Sequence, residues 1–388
     1  MAVMKPKLLI MGVHLNSEAY PNTRFRIEGL KQSDQIEVSE MNFPMSTGNL
    51  YRAGGLFRKI LAGIRGMFAH FMVVLKYVFS EKPDIVYVPY PAVFVVFLLS
   101  WLPGKLKPKR IFVDAFISQY DTIVNDRALL KKNSVLARIL YRLEKRAYLF
   151  STKVIVDTPQ NLDFLASVFL LEKSKLVSIP LSTDEHQFKP EKYRAEIGIC
   201  RVLFVGTLVP LHGIQTILNA VSILSDRRDI TFRIIGDGQE AGKVEHWKLN
   251  NVTTLYWQRY WLPSALIAKE IKRADICLGI FGIGNKTQRV CPFKIYAYAS
   301  VGRPIITGST DWTEKFQAEA GERFFETTPV GDAQKLADLI LALANDPERR
   351  EKWALASRKL YELHLSNAIA NEELLACLLS FNASPSAA

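Results

Sequence analysis

The sequence lacks several features that would assign it quickly. Its four cysteines, Cys200, Cys277, Cys291 and Cys377, stand far apart with no C-x-x-C pair. That excludes a zinc ribbon or a disulfide framework and leaves a reducing, cytoplasmic compartment as the expected setting. No D-x-D occurs, so no carboxylate-held metal is expected. There is no fixed-period repeat, and the one low-complexity tract is the tail NASPSAA. No signal peptide is visible: the apolar run after Lys7 turns polar by Asn16, as a first strand does. The longest uncharged run, 20 residues from Ile85 to Gly104, is nominally long enough for a bilayer, but Pro89 and Pro91 interrupt it near its start. It reads as a strand, a proline turn and a helix of about a dozen residues, roughly 18 Å long and too short to span. The last absence is of acid. From Ile276 to Thr310 there is no Asp or Glu, while Lys286, Arg289, Lys294 and Arg303 all fall inside.

What is present suits two domains. The chain has 388 residues, 49% of them hydrophobic and 23% charged, so wholesale disorder is excluded and each half can bury its own core. The net charge of +12 is uneven: residues 1–190 carry 26 basic and 16 acidic residues, and residues 191–388 carry 24 and 22. Residues 52–146 alone carry 17 basic and 6 acidic residues. A one-sided basic excess points to a polyanionic surface, nucleic acid or acidic lipid.

Short apolar runs alternate with helical patterns along the chain. Strand candidates are KLLIMGV, DIVYVPY, RIFVDAF, KVIVDT and KLVSIP, then RVLFVGT, TFRIIGD, TTLYW, ICLGIF and RPIITG. Runs of this kind mark buried parallel strands. Repeated twice, the alternation predicts an α/β protein of two doubly wound, Rossmann-like domains facing each other across a cleft. The break is expected in SIPLSTDEHQFKPEKYRAEIG, giving domains 1–190 and 191–359, with a C-terminal helix of about 360–388 returning to the first. Ligands of such sheets lie beyond the carboxyl ends of the strands, and the cleft is the expected site.

Three segments of the second half carry possible chemistry. In RVLFVGTLVPLHGIQTIL (201–218) a strand ends at Gly206, and a helix opens after Gly213 with His212 at its mouth. Glycines permit close ligand approach, and a helix start offers free N–H groups to an anion, although a plain connection looks the same. FRIIGDGQE (232–240) turns through Gly236, Asp237 and Gly238. RVCPFKIYAYASVGRPIITG (289–308) predicts a helix over Phe293–Val301, with Pro292 at its start, Gly302 as its C-cap, and Arg289 and Lys294 beside its N-terminus. Dipole, free N–H groups and two cations together form a phosphate or diphosphate site.

In this order the three segments resemble the donor-binding domain of family-4 glycosyltransferases of the GT-B fold, of the bacterial envelope-polysaccharide type. VLFVGTLVPLHGIQTILNA is similar to their first strand–loop–helix, RIIGDGQE to their Gly-Asp-Gly turn, and ADICLGIF with VCPFKIYAYASVGRPIIT to their nucleotide-sugar segment. KPDIVYV, VDTPQNLDFLA and IPLSTDEHQFKP match the family's run into the hinge. The resemblance implies a transferase moving a sugar from a nucleotide-sugar donor to a lipid-linked or cell-envelope glycan acceptor. It implies no metal, no cofactor and retention of configuration. It also brings departures. Where the family commonly carries an Arg and a Lys in the first loop, this chain has Thr207 and His212, so Arg289 and Lys294 would take the diphosphate. Where the family often carries two glutamates, it has Arg289 and Ala297. Loss of a carboxylate partner for a ribose hydroxyl at Ala297 costs about 1.5–3 kcal/mol. These departures support an alternative, a non-catalytic GT-B pseudoenzyme that binds a nucleotide or partner. Epimerase chemistry on a nucleotide sugar is a third reading.

In the first half, Arg24 and Arg26 of NTRFRIEGL are candidates for an anionic acceptor, with solvated surface arginines the plain alternative. Asp114, leaving a strand in VDAFISQYDTIVNDR, is the candidate catalytic or acceptor-side carboxylate, with His14 beside it at the end of the first strand. In GGLFRKILAGIRGMFAHFMVVLKYVF (54–79) apolar residues recur at helical spacing, punctuated by Arg58, Lys59 and Arg65. A basic amphipathic helix rich in Phe fits an anionic membrane surface, here the inner face of the cytoplasmic membrane, as well as it fits a sheet-covering helix with a wet face. No nucleic-acid-binding motif accompanies the charge, so nucleic acid is not an expected partner.

Overall fold

The computed structural model describes residues 5–14, 20–43, 56–249 and 255–380, without the side chains of residues 56–62 and 64. The chain divides into two compact units, Met1–Ser182 with Ala370–Ala388, and Thr183–Ile369. The first boundary thus falls at Ser182 instead of near residue 190, and the return to the first unit comes at Ala370, inside the last helix.

The apolar runs become strands, eight of them inner and two, KLVSIP and TTLYW, at sheet edges. In the first unit the elements are β1 (Lys7–Gly12), α1 (Pro21–Gln32), β2 (Glu37–Asn42), α2 (Leu56–Val78), β3 (Ile85–Val88), α3 (Val93–Leu99), β4 (Ile111–Asp114), α4 (Val135–Phe150), β5 (Lys153–Val156), α5 (Pro159–Phe169) and β6 (Leu176–Ser178). The strands form one parallel sheet in the order β2-β1-β3-β4-β5-β6. Residues of α2, α3, α4 and α5 bury against one face, among them Val73, Val96, Tyr148 and Phe169. Residues of α1 and of the last helix, including Ile27, Leu374 and Leu378, bury against the other. The long uncharged run resolves into β3 and a seven-residue α3, about 10 Å of helix and shorter than expected. Among the described residues no helix is long and apolar enough to cross a membrane.

In the second unit the elements are β7 (Cys200–Val205), α6 (Ile214–Ile223), β8 (Ile230–Ile235), α7 (Ala241–Leu249), β9 (Leu255–Gln258), α8 (Ser264–Arg273), β10 (Ile276–Leu278), α9 (Phe293–Val301), β11 (Ile305–Ser309), α10 (Asp311–Ala320), β12 (Glu326–Pro329), α11 (Ala333–Ala344) and α12 (Pro347–Leu360). The last helix, α13 (Asn367–Leu379), spans the boundary between units. The sheet is again parallel, ordered β12-β11-β10-β7-β8-β9. Residues of α6, α7 and α11, including Ile217, Val244 and Ile340, pack in one core with those of the sheet, and α9 packs against α8 and α12.

Two strands are not expected from the sequence. β2 reads EVSEMN and β12 reads ETTP, and each lies at a sheet edge. An edge strand half in water needs no apolar run, so the signal that marks the inner strands is missing from both.

Candidate functional site

The order in which strands are added to the second sheet reverses between β7 and β10. β8 and β9 extend it on one side, β11 and β12 on the other. At such a switch point the loops leaving the two central strands part and open a crevice beyond the carboxyl edge. Gly206 follows β7 directly. A Cβ built on it would lie 2.9 Å from Lys294 Nζ and 3.0 Å from His212 Cε1, so both groups pack directly against the glycine, where a side chain would crowd them. Lys294 sits in the first turn of α9, with Nζ 3.4 Å from the Gly279 carbonyl oxygen just past β10 and 3.8 Å from the Phe204 ring centroid. The His212 ring stands edge-on to the same Phe204, centroids 5.6 Å apart. The two central strands, the loop between β7 and α6, and α9 thus meet in one cluster.

Backbone contacts fix the loops around it. Gly206 N–H donates to the Ile235 carbonyl at 3.0 Å, Leu208 N–H to that of Asp237 at 3.1 Å, and Glu240 N–H to that of Leu208 at 2.8 Å. Gly236, at φ +143°, would place a Cβ 2.0 Å from the Gly206 carbonyl oxygen, so only glycine lets the turn after β8 approach this closely. Gly213 and Gly238 also lie where backbones touch, with added Cβ atoms 2.4 Å from the Phe281 carbonyl carbon and 2.7 Å from the Leu208 carbonyl oxygen. Thr207 is exposed on the loop. Asp237 is exposed too, accepts from Gly238 N–H at 2.9 Å and lies 3.4 Å from Arg259. The starts of α6 and α9 have no side-chain cap, whereas Thr310, Asp332 and Asp346 cap α10, α11 and α12. Free N–H groups therefore remain at the two helix starts nearest the switch point.

Lys294 dominates the electrostatics of this cluster. It is 8% exposed, and no carboxylate among the described residues pairs with it. Burial without an opposing charge pushes its amine well below the ordinary value of 10.5. Ala297, one turn further along α9, is also buried and brings no acid. Arg289 is buried ahead of Pro292. Arg303, counted with these cations in the acid-free window, is engaged elsewhere. It donates to the Lys272 and Glu191 carbonyls at 2.7 and 2.9 Å and pairs with the Glu191 carboxylate at 3.3 Å.

The first unit corrects three expectations. Arg26 is fully buried and meets no acceptor face. Its Nη1 donates to Asp114 Oδ2 at 2.7 Å, and its Nη2 to the Ile179 and Pro180 carbonyls at 3.1 and 2.9 Å. Burial works against the guanidinium charge, but Asp114 and Tyr87 more than offset it and raise its pKa. Asp114 is equally enclosed. Its Oδ2 also accepts from Tyr87 at 3.0 Å and Asn22 at 3.4 Å, while Oδ1 is buried without a hydrogen-bond partner among the described residues. His14 is not beside it: β3 lies between β1 and β4, two steps of about 4.8 Å. His14 is buried at the switch point of its own sheet, with Nε2 2.9 Å from Glu40. Burial lowers its pKa against the opposing pull of Glu40. Arg24 is half-buried and pairs with Glu28 at 2.8 Å. Of the proposed membrane cations, Arg65 is exposed on α2, and the Arg58 and Lys59 side chains lie outside the described residues. Sequence reasoning passed over Phe204, Tyr87 and Asn22, because an aromatic in an apolar strand and an amide in a helix carry no signal of their own. Among the described residues no group of three or more His, Cys, Asp or Glu is placed to hold a metal ion.

Residues 200–346 match the family model for glycosyl transferases group 1. The second unit therefore carries a glycosyltransferase group 1 domain, and the cluster lies within it. No curated protein sequence matches the chain. Among solved structures the chain is similar to the sucrose-phosphate synthase tll1590 from Thermosynechococcus elongatus, at 15% identity and a TM-score of 0.70, over 98% of this chain and 100% of that one. It is similar to Anabaena Alr3699/HepE in complex with UDP-glucose, at 14% identity and a TM-score of 0.65, over 97% and 100%. It is also similar to a glycosyltransferase from Rickettsia africae, at 13% identity and a TM-score of 0.61, over 98% and 99%. At these identities the likeness is one of fold: two parallel six-stranded α/β units of the GT-B type.

Proposed function

We propose that the chain is a glycosyltransferase that takes a sugar from a nucleotide-sugar donor and delivers it to a lipid-linked or envelope glycan at an anionic membrane surface. The observation that carries the reading is the cluster of Gly206, His212 and Lys294 at the switch point of the second sheet, inside the segment that matches a glycosyltransferase domain. Its lysine and the free N–H groups of α6 and α9 suit the diphosphate of a donor, and they would stabilise the charge that grows as that diphosphate leaves. His212 packs against the same glycine, where the family commonly carries a lysine. Incubation with labelled nucleotide sugars and a membrane extract should move label into the lipid or glycan fraction. Label that stays on the nucleotide for every donor contradicts the reading. UDP-glucose is the first donor to try, since the Anabaena HepE structure contains it.

The membrane part rests on the outer surface of the first unit. α2, α3 and α4 pack side by side. Met67, Phe68 and Phe71 of α2 are each more than half exposed, as are Trp101 beyond α3 and Val135, Leu136 and Ile139 of α4. Arg65, Lys76, Arg138 and Arg142 are exposed on the same helices, and Arg146 lies over the Trp101 ring at 3.8 Å. Apolar side chains interleaved with cations match an interfacial, anionic lipid layer. At about 1 kcal/mol per basic residue, the combined change of Arg58, Lys59 and Arg65 to Glu should lower partitioning onto anionic vesicles by at least about 100-fold. Partitioning unchanged in a co-sedimentation assay contradicts the membrane part alone.

A further inference from the structure

Lys294 lies in surroundings poorly suited to an ammonium. β7 faces it with the Phe204 ring, the following loop with His212, and the end of β10 with the Gly279 carbonyl. On the same packed elements are Cys277 of β10 and Tyr298 of α9, whose hydroxyl accepts from Val205 N–H at 3.0 Å. Arg289 and Cys291 are buried on the approach to α9. None of these groups is an acid. The acid of the adjoining turn, Asp237, is exposed and lies 3.4 Å from Arg259. An ammonium has three protons to place and finds here one long carbonyl contact and a ring face. A neutral amine needs less, and burial favours it. An anion brought up beside Gly206 would supply the acceptors that these groups do not.

We propose that Lys294 takes up a proton as a diphosphate group binds beside Gly206, so that donor binding and protonation are a single event. The inference rests on the reading of this cluster as the donor-diphosphate site. The proton comes from water or buffer and adds to the Nζ lone pair, the resulting N–H groups donate to phosphate oxygens, and no other bond is made or broken. Binding thereby secures the cation that the departing nucleoside diphosphate needs, at a position where burial alone lowers the amine's pKa. The sign of the pH dependence follows. The bound complex has the higher lysine pKa, so between the two pKa values affinity falls tenfold for each unit of rising pH. Below the lower value it is constant.

The test is calorimetric titration of the full chain with UDP and, separately, with inorganic diphosphate, in buffers of different protonation enthalpy. At about pH 8.5, roughly two units above the ordinary second phosphate value, UDP is already fully ionised and brings no proton of its own. The expected result is net proton uptake on UDP binding; inorganic diphosphate, whose own last ionisation falls in the same pH range, serves only to show that the diphosphate alone is bound. Lys294→Arg, whose guanidinium stays charged, should bind with none. Binding of wild type without uptake overturns the inference and leaves the donor reading standing, as does equal uptake by Lys294→Arg. Failure of wild type to bind either ligand overturns the donor reading itself. The pH slope of wild-type affinity gives the same answer without any variant.

Discussion

Lys294→Met should weaken binding of UDP or inorganic diphosphate about 10- to 150-fold, the equivalent of the 1.5–3 kcal/mol of one charge-assisted hydrogen bond. It should at the same time make the protein more heat-stable. The native chain buries this amine with one 3.4 Å carbonyl contact, and Met fills a similar volume without a proton to place. A gain of only about 1 kcal/mol would raise the melting temperature of a unit of this size by about 2–4 °C. The pH dependence separates this from ordinary repacking. Because the folded-state pKa of Lys294 is depressed below 10.5, the unfolded chain binds the extra proton throughout the window between the two values. Native stability therefore rises with pH across that window, and below the folded-state pKa the full penalty is present and constant. The Met variant should lose this slope. Weaker binding together with lower stability would mean that Lys294 is a packing residue and not a ligand for an anion.

Arg26→Met is expected to have the largest effect on stability, about 3–5 kcal/mol, because it leaves the Asp114 carboxylate buried and uncompensated. Arg26 and Asp114 pair at 2.7 Å with both side chains at 0% exposure. The same arginine holds the Ile179 and Pro180 carbonyls at the end of the first unit, and Asn22 of the same helix accepts from Ser182 N–H at 2.9 Å. One turn of α1 thus ties β4 to the segment in which the unit ends. Replacing both partners, Arg26→Met with Asp114→Leu, should recover most of the loss, since an apolar pair of similar volume avoids the desolvation cost. Urea unfolding monitored in the first unit gives the comparison. A double variant no more stable than the single one would show that the backbone anchors at Ile179 and Pro180 matter more than the ion pair.

The sequence carries the fold where burial leaves a pattern. VLFVGT and RIIGDG are inner strands running into glycine turns, and the turns are glycine because the backbones at Gly206 and Gly236 nearly touch. The start of α9 at Phe293 and its end at Gly302 follow from Pro292 and the left-handed C-cap, φ +79°, and both are legible in the residues. The charge pattern is a poorer guide. The acid-free window singles out four cations, yet only the three-dimensional contacts separate Arg303, committed to Lys272 and Glu191, from Lys294, which has no acid. The same gap explains the corrections in the first unit. Residues 26 and 114 are 88 apart, and no periodicity tells an arginine on a helix that its partner is a distant carboxylate rather than solvent or substrate. Strands β2 and β12 escape the pattern because their edge positions tolerate the polar residues of EVSEMN and ETTP, whereas the edge strands β6 and β9 keep apolar runs.

The most direct measurement of the central claim is the rate at which wild type and Lys294→Met release nucleoside diphosphate from the same nucleotide sugar in the presence of membrane extract. Turnover by wild type is expected with at least one donor, and the variant should lose at least about 10-fold in kcat/KM. A wild type that binds UDP yet releases none from any donor would make the chain a nucleotide-binding subunit. A variant as fast as wild type would place the chemistry elsewhere than the switch point between β7 and β10.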